Sequence, residues 1–292
     1  MELNGLRQFL AVARAGHLSR AAAELRVAQP SLSRTIARLE TELGTPLFDR
    51  AGRLQLNDTG KIFADHVERA LGELEAGRRA VAQALDSGPG GVRLASETFL
   101  PLTGPLAAFK AAHPDIDIQL HQMSTSEMEQ ALRAQEVDLC LASQAVNAPR
   151  ITSEVVHVER VWLATPPGHR LAGAAEVRIE DLADEPFVTT RPGQWQRRHL
   201  EWLFSDRNLE PRIICETDEP AATYALVRAG LGLCLFPTIA RQGGFEEGVS
   251  WVGIDHPHCN RTLSLHWTSD DNLSAAARLM RSQITEWDWD IA

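Results

Sequence analysis

The chain has 292 residues and a formal net charge of −10, and this length is enough for two or three domains with hydrophobic cores. An acidic balance argues against nucleic-acid binding over the whole surface, but residues 1–57 hold eight arginines against five acidic residues, so the remainder is net −13. An acidic body with a mildly basic head is typical of a protein that contacts DNA at one end only.

The sequence favours a cytoplasmic protein without a membrane partner. It has no run of 18 apolar residues, and its first residues lack the apolar core of a signal peptide. The four cysteines lie far apart, which agrees with a reducing compartment.

The first predicted elements are two short helices joined by a tight connection. The second begins at Pro30, where the missing N–H of proline costs nothing. Its apolar side chains recur at helical spacing, as Leu32, Ile36, Leu39 and Leu43. The opposite face carries Arg34 and Arg38. This is the helix-turn-helix layout, in which the second helix enters the major groove of DNA. The alternative is an ordinary solvated pair of amphipathic helices.

A hairpin wing is expected after the second helix, with its tip at 49–53. Arginine can reach guanine, and Ser or Gln can reach base edges or phosphates, so we expect base contacts from Gln29, Ser33 and Arg34. Ser31 and the wing arginines would contact phosphates or the minor groove. The complete predicted DNA-binding set is Gln29, Pro30, Ser31, Ser33, Arg34, Arg38, Arg50 and Arg53.

A long helix is predicted over residues 58–86, after a DNA-binding domain at 1–57, with Asn57 or Asp58 as its cap. Apolar or small residues follow one another at alternating spacings of four and three: Phe63, Val67, Ala70, Leu74, Gly77, Val81 and Ala84. At 1.5 Å per residue the helix spans roughly 42 Å, which is too long to be covered by so small a head. We expect a second copy of the chain along this seam, hence a homodimer. The alternative is a single amphipathic helix lying on its own body.

A Gly- and Pro-rich hinge at 87–91 precedes a larger domain at 92–292. Strand and helix patterns alternate there, beginning as βαβαβ, which predicts an α/β fold with a mostly parallel sheet. We expect two lobes, one formed by about 92–160 and 265–292 and the other by about 161–264. A cleft should lie between them at the carboxyl ends of the strands.

Loops that follow predicted strands should face this cleft. Hydroxyl groups beside helix N-termini suit a carboxylate or another small anion, although the same hydroxyls could simply cap the helices. Glu97 and Asp218, together with Glu219, would repel an anion and instead indicate an amine or a polyhydroxyl ligand. The predicted effector-binding set is Ser96, Glu97, Thr98, Ser124, Thr125, Thr189, Thr190, Asp218 and Phe236.

The head resembles the winged helix-turn-helix domain of LysR-type transcriptional regulators. The residues that carry the resemblance are Leu3-Asn4-Gly5-Leu6-Arg7-Gln8-Phe9-Leu10-Ala11-Val12, Ser19-Arg20-Ala21-Ala22, Gln29-Pro30-Ser31-Leu32-Ser33-Arg34 and Leu47-Phe48-Asp49-Arg50. One departure is Ala28, where the family usually has a Ser or Thr that caps the recognition helix. The missing cap should lower local helix stability by about 1 kcal/mol.

The second half is similar to the family's effector domain, which itself is similar to periplasmic binding proteins. The matching residues include Pro105, Phe109, His113-Pro114, Asp138-Leu139, Gly168-His169 and Gly230-Leu231-Gly232. The resemblance implies a regulator that binds operator half-sites in double-stranded DNA and a small-molecule effector between its lobes. It also implies a dimer or tetramer, and contact with RNA polymerase if the protein activates transcription.

Other functional classes find little support in the sequence. Motifs of nucleophilic, zinc-dependent and P-loop catalysis are missing, so we expect no enzyme activity, cofactor or metal. His256-Pro257-His258-Cys259 gathers possible metal ligands, but adjacent residues rarely all reach one ion. Two alternatives remain open: a regulator that senses oxidants through its cysteines, and a ligand-binding module whose N-terminal helices serve only for assembly.

Overall fold

The computed structural model describes residues 1–49, 54–85, 91–146, 151–242, 247–270 and 273–289. The chain divides into two compact units, Met1–Ser87 with Arg133–Glu136, and Gly88–Leu132 with Val137–Ala292. Throughout these described ranges, no helix combines the length and apolar character that crossing a membrane requires.

The first unit is a winged helix-turn-helix followed by a long helix. Its elements are α1 (Leu3–Ala15), α2 (Leu18–Glu24), α3 (Gln29–Leu43), β1 (Phe48–Asp49), β2 (Gln55–Leu56) and α4 (Asp58–Leu85). Phe9 lies fully buried at its centre, with its ring 5.6 Å from that of Phe48 and 5.2 Å from that of Phe63. One core therefore joins α1, the base of the wing and α4.

Local sequence signals fix the ends of α3. Ala28 flanks its start without a side-chain cap, and Pro30 lies in its first turn, as expected. Gly44 ends it in the left-handed conformation, with φ of 71°. The connection from α2 places Arg26 at φ of 54°, a conformation that costs a non-glycine residue about 1 kcal/mol.

Asn57 caps α4, because its side-chain oxygen accepts the N–H of Gly60 at 2.8 Å. The seam prediction for this helix is wrong in its first two positions. Phe63 and Val67 pack into the core of their own head, where Phe9 provides an apolar neighbour. Farther along the helix, Leu74 and Val81 are 47% and 61% exposed. The side chain of Ala84 lies outside the described part of the chain.

The second unit alternates strands and helices, as predicted. Its elements are β3 (Gly91–Ser96), α5 (Thr103–Ala112), β4 (Asp117–Gln122), α6 (Thr125–Arg133), β5 (Leu139–Ala142), β6 (Thr152–Thr165), β7 (Glu176–Val177), β8 (Pro186–Thr189), α7 (Trp195–Ser205), β9 (Arg212–Glu216), α8 (Pro220–Arg228), β10 (Cys234–Pro237), α9 (Thr238–Gln242), β11 (Ser250–Ile254), β12 (Asn260–Trp267) and α10 (Ala275–Thr285). The hinge expected at 87–91 lies outside the described residues except for Gly91, which pairs with Asp117.

The main sheet is mixed rather than mostly parallel. Its strand order is β4-β3-β5-β12-β6-β11-β7, with β10 also paired to β6. β3 runs parallel to β4 and β5, which agrees with the predicted βαβαβ start. The strands that follow pair antiparallel around β6, since β12, β10 and β11 all run opposite to it. β8 and β9 form a separate parallel pair.

Two long strands pass from one lobe to the other. On β6, Val156 packs in the core of the first lobe, whereas Val161 lies in the core of the second. Cys259, immediately before β12, packs in the core of the second lobe, whereas Leu263 on β12 packs in that of the first. The change of lobe on β12 therefore falls before Leu263, earlier than the 264/265 boundary expected from sequence. Arg261 on β12 lines the cleft between the two lobes.

Candidate nucleic-acid interface and ligand cleft

The polar face of α3 points away from the core of the head. Leu32, Ile36 and Leu39 are buried, whereas Gln29 and Arg34 on the other side are exposed. The remaining predicted residues of this face are also accessible: Pro30 and Ser31 are exposed, and Ser33 is half-buried. The outward face of α3 therefore consists mainly of arginine and small polar side chains.

Arg34 has no carboxylate partner within 4.0 Å in the described ranges of the chain. Its Nε donates to the carbonyl of Pro30 at 3.2 Å, one helical turn back. Arg38 differs, because its Nη2 lies 3.4 Å from a carboxylate oxygen of Glu2. Both partners of that ion pair are mostly exposed, at 54% and 73%, so the interaction is weak and screened by salt. Arg34 is therefore more available than Arg38 to bind an anion such as a DNA phosphate, or an acceptor group of a base.

The base of the wing is held beside the end of α3. β1 and β2 pair antiparallel, with Phe48 opposite Leu56. The Glu40 side chain on α3 accepts the N–H of Leu47 at 2.9 Å, just before β1. The predicted wing contacts Arg50 and Arg53 lie outside the described residues, so their assignment stays a prediction.

A cleft between the two lobes brings together five of the predicted effector contacts. Its walls include Glu97, Thr98, Thr190, Asp218 and Phe236. The cavity volume is about 70 Å³. The apolar part of the wall includes Leu100, Pro101, Phe236, Pro237, Ile239 and Ala240.

The other four predicted contacts lie outside the lining of this cleft. The Ser96 hydroxyl lies within hydrogen-bond distance of two carbonyl oxygens, 2.8 Å from that of Thr98 and 2.9 Å from that of Leu141, and can donate to either. Ser124 forms a cap at the start of α6 with Glu127, whose carboxylate accepts both the N–H and the hydroxyl of Ser124 at 2.7 Å. These bonds lower the pKa of Glu127. The alternative role of hydroxyls as helix caps is thus the one that Ser124 plays.

Thr125 and Thr189 also point elsewhere. Thr125 Oγ1 donates to a carboxylate oxygen of Glu97 at 2.9 Å, so it acts on the cleft only through that residue. Thr189 is 1% exposed, and its hydroxyl has no hydrogen-bond partner among the described residues. The Thr190 hydroxyl, which belongs to a lining residue, is likewise unpartnered there.

Glu97 is a buried carboxylate, 8% exposed, at the edge of the cleft. In addition to Thr125, its oxygens accept the N–H of Ser143 at 3.0 Å and the side-chain amide of Gln144 at 3.3 Å. The same Gln144 nitrogen lies 3.3 Å from the carbonyl of Gly193 in the other lobe. The carboxylate is therefore held in a fixed orientation at a place where the lobes touch.

Sequence reasoning missed several lining residues, of which Arg261 and Trp195 are the most distinctive. Arg261 is 3% exposed on β12, and its Nε donates to Glu159 of β6 at 2.7 Å. Its guanidinium lies 5.1 Å from the Trp195 ring, at the start of α7. Local periodicity gives no indication that a strand near the end of the chain reaches the cleft. Trp195 lies a few residues after the predicted contacts Thr189 and Thr190, and this proximity in sequence was a signal that could have found it.

Three of the four cysteines are poorly placed for oxidation. Cys140, Cys234 and Cys259 are buried, and all four are free thiols. Burial raises the pKa of the Cys259 thiol to about 12 and raises those of Cys140 and Cys234 further. A thiol in such a position is rarely ionised and reacts slowly.

Two family models match the chain. The lysR-family bacterial regulatory helix-turn-helix protein model matches residues 3–61, and the LysR substrate binding domain model matches residues 90–289. The chain belongs to the LysR family of transcriptional regulators.

Other regulators, known by sequence or by solved structure, match this LysR regulator over nearly its whole length. YybE of Bacillus subtilis, described as an HTH-type transcriptional regulator, is 30% identical over 97% of this chain and 98% of its own. Full-length BenM is 25% identical, with a TM-score of 0.59 over 98% of this chain and 96% of BenM. CbnR complexed with its target DNA is 22% identical, with a TM-score of 0.60 over 98% of this chain and 99% of CbnR, and this likeness shows the fold.

Proposed function

We propose that this LysR-family regulator reads operator half-sites in double-stranded DNA with α3, using Gln29, Ser33 and Arg34 on bases. The observation that carries the proposal is the exposed Arg34 guanidinium, which has no carboxylate partner in the described ranges. Arginine makes bidentate contacts with guanine in the major groove. Ser31 at the same surface, with Arg50 and Arg53, would hold the backbone.

Binding titrations with an Arg34→Ala variant test this assignment. The probes are a duplex that the wild type selects from a randomised library and a scrambled duplex of equal length. We expect Arg34→Ala to weaken binding to the selected duplex by about 1–3 kcal/mol. The affinity for the scrambled duplex should change little. Arg212→Ala, which removes an exposed arginine of β9, is the matched control and should leave both affinities unchanged. Equal weakening on both duplexes would assign Arg34 to the backbone instead.

The assembly proposed for the regulator is a dimer, or a tetramer built from dimers, with α4 as one contact between copies. Leu74 and Val81 support this role because they expose apolar side chains on a helix of 28 residues. Two heads held by one symmetric contact match the two halves of a palindromic operator. Sedimentation of the full chain measures the number of copies.

The remaining partners follow from the same proposal. A small-molecule effector would bind in the cleft and favour one arrangement of the subunits by its higher affinity for that arrangement. The protein would act in the cytoplasm by binding alone, without a catalytic step, and would contact RNA polymerase when it activates transcription. The exposed face of α3 speaks against a module that only binds ligand, and the buried thiols speak against a cysteine sensor.

A further inference from the structure

Three charged side chains, Glu97, Asp218 and Arg261, are among the described residues that line the cleft. Asp218 forms an ion pair with Arg191 within the second lobe. Arg261 forms a buried ion pair with Glu159, in which each side chain is 2% exposed. Glu97 has no cationic partner within 4.0 Å among the residues that the structure describes. Of these three side chains, Glu97 is therefore the one without an ion-pair partner in the described part of the chain, and its carboxylate is largely removed from water.

An isolated buried carboxylate is unfavourable unless something compensates its charge. The three hydrogen bonds from Thr125, Ser143 and Gln144 fix the orientation of Glu97, but all three donors are neutral. A carboxylate offers about four acceptor positions, so about one remains for a ligand. A charged N–H donor in that position would add both a hydrogen bond and the missing positive charge.

The rest of the cleft indicates that the part of the ligand away from Glu97 is apolar. Phe236, Pro237 and Ile239 form an apolar wall together with Leu100 and Pro101. Free carboxylates on a ligand would meet the like charge of Glu97, whereas a hydrocarbon body would bury apolar surface against this wall. The small volume favours a compact molecule.

We propose that the effector of this regulator is a small organic ammonium ion with an apolar body, and that Glu97 is its counter-charge. This inference rests on the proposed effector function of the cleft. Gln144 contacts both Glu97 and Gly193 of the other lobe, so an ammonium group bound at Glu97 would sit where it can alter the contact between lobes.

A charge series on the wild-type full chain tests the ligand class. Isobutylamine, isobutanol and isobutyrate share one branched apolar body and differ in charge. We expect isobutylamine to raise the melting temperature at millimolar concentration and to bind at least about tenfold more tightly than the alcohol, because hydrogen bonds to charged groups are the stronger ones. Isobutyrate should produce no shift. Tighter binding of the acid, equal binding of all three or no binding of the amine overturns the proposal.

Two variants then test the residue. Glu97→Gln keeps the shape and removes the charge, and it should weaken amine binding at least about tenfold by calorimetry. Glu210→Gln, which removes an exposed carboxylate before β9, should leave amine binding unchanged. Amine binding that survives Glu97→Gln refutes the role of Glu97. If Glu97→Gln does not fold, the wild-type charge series decides alone. DNA titration of the same samples distinguishes failure of this inference from failure of the proposed function. Intact DNA binding without amine binding refutes the inference about the ligand and leaves the proposed regulator function unaffected.

Discussion

Replacing Gly60 by alanine should destabilise the head severely, although glycine in a helix is normally a weak point. An added Cβ at Gly60 would lie 2.9 Å from the carbonyl carbon of Leu47, and closer still to its oxygen. That oxygen also accepts the N–H of Asn57 at 3.1 Å. Because backbone rather than a flexible side chain occupies the space, α4 and the segment before β1 would have to separate by about 1 Å.

The magnitude follows from the bonds that such a separation would break. Besides the Asn57 N–H bond, the side chains of Asn57 and Thr59 donate to the carbonyl of Pro46 at 3.0 and 2.9 Å. Three bonds at about 0.5–1.5 kcal/mol each give a loss of about 1.5–4.5 kcal/mol. A domain stability of about 5–15 kcal/mol leaves little reserve after such a loss.

Urea denaturation followed by circular dichroism measures the effect, and DNA titration reports whether the wing keeps its place. Gly77→Ala is the matched control on the same helix, since no atom of the described residues lies within 4 Å of its added Cβ. That variant should gain up to about 1 kcal/mol from helix propensity. If Gly60→Ala unfolds at the wild-type urea midpoint and binds DNA equally well, the close approach to Leu47 is not a constraint and the reasoning fails.

Two further predictions concern the second unit. Glu159→Gln leaves the buried Arg261 guanidinium without a counter-charge, so it should lower the free energy of unfolding by about 3–5 kcal/mol. Urea denaturation measures the change, and an unchanged midpoint would contradict this prediction. Burial lowers the pKa of His266 from 6.5 to about 4, so the unfolded chain binds more protons between these values. Stability should therefore fall as the pH drops through that window, and His266→Gln should reduce the difference in urea midpoint between about pH 7 and about pH 5. A variant with the same pH dependence as the wild type would show that His266 is not its source.

Short-range patterns in the sequence determined the head. The apolar spacing of Leu32, Ile36 and Leu39, the proline at the start of α3 and the glycine at its end all act within a few turns of helix. Such signals need no knowledge of distant contacts, so the helix-turn-helix, its polar face and the family were predictable. The alternation of strands and helices in the second unit was predictable for the same reason.

The cleft was decided by contacts between residues far apart in the chain. Glu97 follows β3, yet its hydrogen-bond partners come from α6 and from the loop after β5. Arg261 reaches the cleft because β12 pairs with β6, about a hundred residues earlier in the chain. Local periodicity cannot encode which strands pair, and a residue's charge does not reveal whether another residue will neutralise it. For this reason the sequence predicted that carboxylates face the ligand, but only the tertiary structure distinguished Asp218, which pairs with Arg191, from Glu97, which has no cationic partner among the described residues.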